Sequence, residues 1–188
     1  YDPNIQHGEY FDRQQKASFD LSAGISYKFM SEAPNIDRFS KSSGTISAGF
    51  WHLNQGKRLT LSDEQADIKM VMMTDLTFAM GEDKKAAFNP WILGMLQGSA
   101  YEFTVGSDVK FFLKQSDKYS VSRAIFSIGG AYRLNDAAMA RIMFDYANYG
   151  IGVAYEINTS SLKEASKGFG CFEIFIKYSP MSKSFSLY

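Results

Sequence analysis

Residues Ala138 to Ile157 read AMARIMFDYANYGIGVAYEI. Ala138, Ala140, Ile142, Phe144 and Tyr146 alternate with Met139, Arg141, Met143 and Asp145. Beyond Ala147-Asn148 the alternation resumes, with Tyr149, Ile151, Val153, Tyr155 and Ile157 against Gly150, Gly152, Ala154 and Glu156. A period of two puts alternate residues on opposite faces of a strand. Two such runs joined by two residues predict a β-hairpin, although Ala147-Asn148 lacks the glycine that two-residue turns favour. The Gly-x-G at Gly150 to Gly152 opens no helix. Its glycines read as room for bending or for a neighbouring side chain, not as a phosphate loop.

The same period extends outward from this hairpin. Ala17 to Phe29 places Phe19, Leu21, Ala23, Ile25, Tyr27 and Phe29 opposite Asp20, Ser22, Gly24, Ser26 and Lys28. Thr45 to Leu53 has Ile46, Ala48 and Phe50 on one side, and Ile68 to Met80 begins with a continuous apolar run whose facing is ambiguous. Phe88 to Gln97 is a further strand, and its Asn89-Pro90 is expected at the strand start because proline has no N–H for the ladder. In Tyr101 to Leu113, Phe103, Val105, Val109, Phe111 and Leu113 oppose Glu102, Thr104, Gly106, Asp108 and Lys110, before a polar turn at Lys114 to Lys118. Ala124 to Leu134 sets Phe126, Ile128, Gly130 and Tyr132 against Ser127, Gly129, Ala131 and Arg133, and turns at Asn135-Asp136. Cys171 to Tyr178 has Phe172, Ile174, Ile176 and Tyr178 on one face. The pattern predicts about nine antiparallel strands with no long helix. Between Asn158 and Cys171, Ser161 to Glu164 fits a capping box and Gly168 a helix stop, which reads as a connecting loop with one helical turn.

Such strands build a sandwich or a barrel. In a sandwich the apolar face meets a second sheet; in an outer-membrane barrel it meets lipid. Aromatic residues gather near strand ends on that face, as membrane girdles do. Asp108, Arg141, Glu156 and Glu173 lie on the other face, where a polar lumen tolerates charge. The mean hydropathy of −0.22 does not decide, because barrels spread their apolar content thinly. Both architectures stay open on pattern alone.

Composition excludes other classes. The 188 residues carry 20 basic and 20 acidic side chains, so nothing marks a nucleic-acid surface. Ala86 to Tyr101 is the longest uncharged run, and its Asn, Pro, Gln and glycines make it a poor membrane helix. The chain opens YDPNIQ, without initiator Met or signal-like segment, and reads as a processed chain or an internal piece. The single Cys171 allows no internal disulfide. His7 and His52 have no metal-ligand spacing, and His52 reads as a strand-end residue. Asp12, Asp20, Asp63 and Glu64 read as loop and strand-end charges, and Met70, Met72 and Met73 as packing. No nucleophile, P-loop or dinucleotide motif is present, so no catalytic residue, cofactor or metal is expected.

Two stretches carry a resemblance. NTSSLKEASKGFGCFEIFIKY, preceded by YGIGVAYEI, resembles the C-terminal end of the PorP/SprF family. Tyr155-Glu156, Asn158, Ser160 or Ser161, Leu162, Gly170 and Phe172-Glu173-Ile174 match its strand end, loop and last strand, with Glu156 at a usual Asp and Cys171 at a usual Gly. GFWHLNQ is similar to the family's His-Leu-Asn-Gln element, matched by Gly49, His52, Leu53, Asn54 and Gln55, with Gly56 where the family has Pro.

The resemblance implies an outer-membrane protein of the type IX secretion and gliding machinery of Bacteroidota. It makes residues 1–188 the C-terminal portion of one all-β, antiparallel transmembrane β-barrel, with 179–188 as an extension. The lipid-facing residues are then Phe19, Leu21, Ile25, Tyr27, Phe126, Ile128, Phe144, Tyr146, Ile151, Val153, Tyr155, Phe172, Ile174, Ile176 and Tyr178. The partners it implies are membrane lipids, the periplasmic lipoprotein ring with its peptidoglycan-binding linker, and a secreted adhesin. The expected role is a membrane anchor or docking platform. The competing expectations are a general porin or hydrophobic-solute channel, a soluble ligand-binding β-fold, and a lipid hydrolase that would need His52 as its base.

Overall fold

The computed structural model describes residues 19–32, 39–56, 65–114, 124–160 and 170–179. These form β1 (Ala23–Met30), β2 (Ser42–Trp51), β3 (Lys69–Met80), β4 (Ala86–Gln97), β5 (Ala100–Lys114), β6 (Ala124–Arg133), β7 (Ala137–Tyr146), β8 (Tyr149–Asn158) and β9 (Cys171–Tyr178). All nine belong to one sheet, paired in sequence order as an antiparallel meander. There is no helix among the described residues. Among the described residues the sheet is open: β1 pairs only with β2, and β9 only with β8.

The expected strands are all present, with shifted ends. The first begins at Ala23, so Phe19 and Leu21 precede it. The second stops at Trp51, because His52 turns to φ +59° and leaves the strand. The Ala147-Asn148 hairpin forms, with Ala147 at φ +50°. His7, Asp12, Asp63, Glu64, the capping box at Ser161 to Glu164 with Leu162, and 180–188 lie outside the described residues.

One expectation is corrected. Pro90 stands inside β4, four residues after its first residue Ala86, not at a strand start. The β3–β4 ladder is regular on both sides and lapses only at Asn89-Pro90, opposite Leu76 and Thr77. There the Asn89 side-chain amide donates to the Leu76 carbonyl, replacing the N–H that proline lacks. The same amide reaches Asp75 Oδ1 at 3.1 Å and Thr77 Oγ1 at 3.3 Å, and Asn89 is 1% exposed. A neighbouring side chain thus lets a proline sit in an interior strand.

The register sorts residues into continuous rows. Phe78, Phe88, Val109, Ile128, Ile142, Val153 and Ile174 form one row across β3 to β9. One residue along, Asn89, Asp108, Gly129, Arg141, Ala154 and Glu173 form another on the opposite face. The ambiguous facing of β3 is settled by its partners. Met70 and Met72 join the apolar face and Met73 the polar one. Met72 and Met73 are exposed rather than packed.

Among the described residues no hydrophobic core sits beneath either face. The buried apolar residues among those described are Ala66, Ala87, Ala124 and Ala137, whereas Ile25, Tyr27, Ile142, Ile151, Phe172, Ile174 and Ile176 are exposed. A soluble sandwich requires a second sheet over such a face, and none exists among the described residues. Contiguous apolar surface of this extent marks a partner or a membrane.

Candidate functional site

The apolar face is one candidate surface. Register places Ile25, Tyr27, Phe126, Ile128, Phe144, Tyr146, Ile151, Val153, Tyr155, Phe172, Ile174, Ile176 and Tyr178 on it together. Phe19 and Leu21, ahead of β1, are also exposed. Tyr146, Tyr149 and Tyr178 form a row at one end, with the Tyr149 and Tyr178 rings 5.0 Å apart. Tyr101, Phe103, Tyr132, Tyr155 and Phe172 lie toward the other end, and Ile142, Val153 and Ile174 between. Ten-residue strands tilted as in barrels rise about 25 Å, the height of a bacterial outer-membrane apolar band.

The opposite face is a wall of paired charges laid over glycines. Asp108, 3% exposed, accepts from Arg141 Nε at 2.7 Å and also from Arg141 Nη2. Arg141 reaches it across Gly129, where a Cβ would collide with the Asp108 carboxylate and the Ser107 carbonyl. The guanidinium also stacks 4.8 Å from the Trp91 ring centre, a cation–π contact. Trp91 in turn lies over Gly106, and Phe175 over Gly152. Lys177 pairs with Asp145 beside Gly150. The glycines of the opening hairpin are therefore seats for side chains of its neighbours. Aromatic rings laid over glycines favour curved sheets.

Arg133, the last residue of β6, gathers three carboxylates. It contacts Asp136 at 2.8 Å, Glu156 at 2.9 Å and Glu102 at 3.4 Å. This ties β5, β8 and the β6–β7 turn together. Neither this hub nor the Arg141–Asp108 pair was legible in advance. The only signal was a glycine on the polar face at the register of a large residue of the same face on the adjoining strand.

The motif residues occupy the end of the sheet where β2 and β8 finish and β9 starts. His52 Nδ1 lies 3.1 Å from Asp20 Oδ2, in the segment just ahead of β1, so this strand-end carboxylate has a polar partner. Asn54 acts as a substitute ladder: its amide donates to the Phe19 carbonyl at 2.5 Å, and its oxygen accepts from Leu21 N–H at 3.0 Å. Leu53 N–H adds a bond to the Leu21 carbonyl at 2.9 Å. Gln55 N–H closes a turn on the His52 carbonyl at 2.8 Å, and Gly49 leaves room for the Trp51 ring. Together these residues prolong β1–β2 pairing beyond the end of β2.

On the other margin, Asn158 is the last residue of β8, opposite Ala137. Gly170 N–H donates to Tyr155 Oη at 3.2 Å, and any Cβ there would strike the Glu156 carbonyl. Glu173 is exposed on the polar face. The fold brings both motif groups to one end but leaves β3 to β7 between them. They do not form a common pocket among the described residues, and no group there of three or more His, Cys, Asp or Glu could hold a metal ion.

A one-sheet meander with an apolar face and a charge-paired face defines a class of membrane β-protein. The chain belongs to the PorP/SprF family, described as type IX secretion system membrane protein PorP/SprF, which matches residues 1–178. No curated protein and no solved structure matches it.

Proposed function

We propose that this chain is the C-terminal portion of a transmembrane β-barrel in the cell outer membrane. There it serves the type IX secretion and gliding apparatus as an anchor or docking platform. The observation that carries the reading is the uncovered apolar face, continuous in register over nine strands and backed by paired charges, in a PorP/SprF chain. Lipid is the solvent that lets such a face stay open without aggregation.

The paired wall favours a platform over an ion-selective pore. Arg141, Arg133 and Lys177 are each committed to carboxylates of the same wall. The partners in this reading are the periplasmic lipoprotein ring, its peptidoglycan-binding linker and a secreted adhesin, and no catalysis is assigned. The test is crosslinking and affinity purification of the full-length protein from its native envelope. Recovery of secretion components is expected. Their absence, together with steady conductance of the purified protein in a planar bilayer, would favour a porin instead.

A further inference from the structure

At the end of the sheet where β1, β3 and β5 finish, one residue gathers three elements. Lys84, in the β3–β4 turn, holds both described ends of the β1–β2 connection. Its Nζ lies 2.7 Å from each carboxylate oxygen of Glu32, just past β1. Its carbonyl accepts from Phe39 N–H at 3.0 Å, just ahead of β2. Lys84 itself sits at φ +53°, a left-handed position that a residue with a Cβ enters at a cost.

The contact reaches on to β5. The Lys41 carbonyl accepts from Ala79 N–H at 3.0 Å, so residues 39–41 follow β3 before β2 begins. That path brings the Phe39 ring edge-to-face onto Phe112, with 5.0 Å between centres. Phe112 N–H is fixed in turn by the Lys85 carbonyl at 2.8 Å. Phe112 follows Phe111 of the apolar face, so it belongs to the polar face, opposite Ile125. Ala87, on the same face at this end, is 0% exposed.

We propose that Glu32 and residues 39–41 form a strap, fastened by Lys84, that closes the polar face at this end and opens without loss of strand pairing. This rests on the membrane-barrel reading, in which the polar face lines the lumen and this end is one of its mouths. The fastening suits a strap that releases. The Glu32 and Lys84 side chains are 43% and 24% exposed, and ion pairs so placed are weak. Breaking this pair and the Phe39–Phe112 contact takes no bond from the β1–β9 ladders. The strap then sets access to the lumen from one side of the membrane.

The test uses the full-length protein in outer-membrane fragments open to both sides. In a Cys171→Ser background, Ala87→Cys is the reporter, read by its labelling rate with a charged maleimide. Glu32→Lys sets a second cation against Lys84 and should speed labelling about fivefold. Adding Lys84→Glu restores the opposite charges and should restore the slow rate. Phe39→Ala should speed labelling without altering the ion pair. Unchanged labelling in Glu32→Lys and in Phe39→Ala would overturn the strap. Hydrogen exchange without the reporter guards against a folding defect at Ala87. The Phe39 amide should exchange faster in Glu32→Lys while β6 amides stay unchanged. Equal exchange at Phe39, or acceleration of Phe39 and β6 together, would overturn the proposal. Carbonate extraction of the unmodified protein tests the membrane reading separately: release would remove the lumen, whatever exchange shows at Phe39.

Discussion

Arg141 on β7 grips Asp108 on β5 across an intervening strand, because Gly129 of β6 has no side chain to stand between them. The pair is half enclosed, with Asp108 side chain 3% and Arg141 38% exposed. Gly129→Ala should cost about 1–3 kcal/mol by overpacking. Arg141→Met strands a buried carboxylate and should cost about 2–3 kcal/mol, below a fully enclosed pair because the arginine is partly solvated. Adding Asp108→Asn should recover part of that loss. Urea unfolding in detergent micelles measures all three. Equal stability of Arg141→Met and the unmodified protein would show that the pair does not hold the wall.

Asn89 and Pro90 should behave as a coupled pair. Asn89→Ala leaves the Leu76 carbonyl unsatisfied and should cost about 1–3 kcal/mol. In a Pro90→Val background the backbone N–H returns, so the same change should cost measurably less. A double-mutant cycle with no coupling would contradict the substitution of side-chain amide for backbone.

Ala147 occupies the left-handed region at φ +50°, which L side chains with a Cβ enter at a cost. Ala147→Gly should stabilise the hairpin by about 1 kcal/mol, and Ala147→Val should destabilise it. The ranking Gly over Ala over Val in thermal unfolding is the readout, and the reverse order would refute the strained turn.

The apolar face gives a depth-dependent expectation. Val153→Lys, mid-row, should cost about 2–4 kcal/mol in folding into lipid vesicles, and Tyr155→Lys, nearer the strand end, about 0–1 kcal/mol. A soluble protein would tolerate both, since neither position is buried. Loss of the difference between the two sites would remove the support for a bilayer.

Asn54→Ala removes two bonds to the backbone at Phe19 and Leu21. Exchange at the Leu21 amide should accelerate, while β6 amides stay unchanged. His52→Gln should have a smaller effect, because the His52–Asp20 pair is solvent-exposed.

The alternation in residues 138–157 determined strands, hairpin and facing, because a period of two fixes which side chains share a face whatever the partners are. The alternating apolar residues share one face in register, and the motif stretches pointed to the family. The sequence pattern did not determine the handling of Pro90, since the compensating contact lies on β3, separated in sequence from Asn89. Nor could it locate Arg141's partner, because Asp108 is brought near only when three strands align and Gly129 opens the way. The pattern alone left sandwich and barrel equally open. Only the tertiary structure stacked the same apolar residues into continuous rows of one open sheet, because strand pairing joins residues far apart in sequence, and it places no second sheet over them among the described residues.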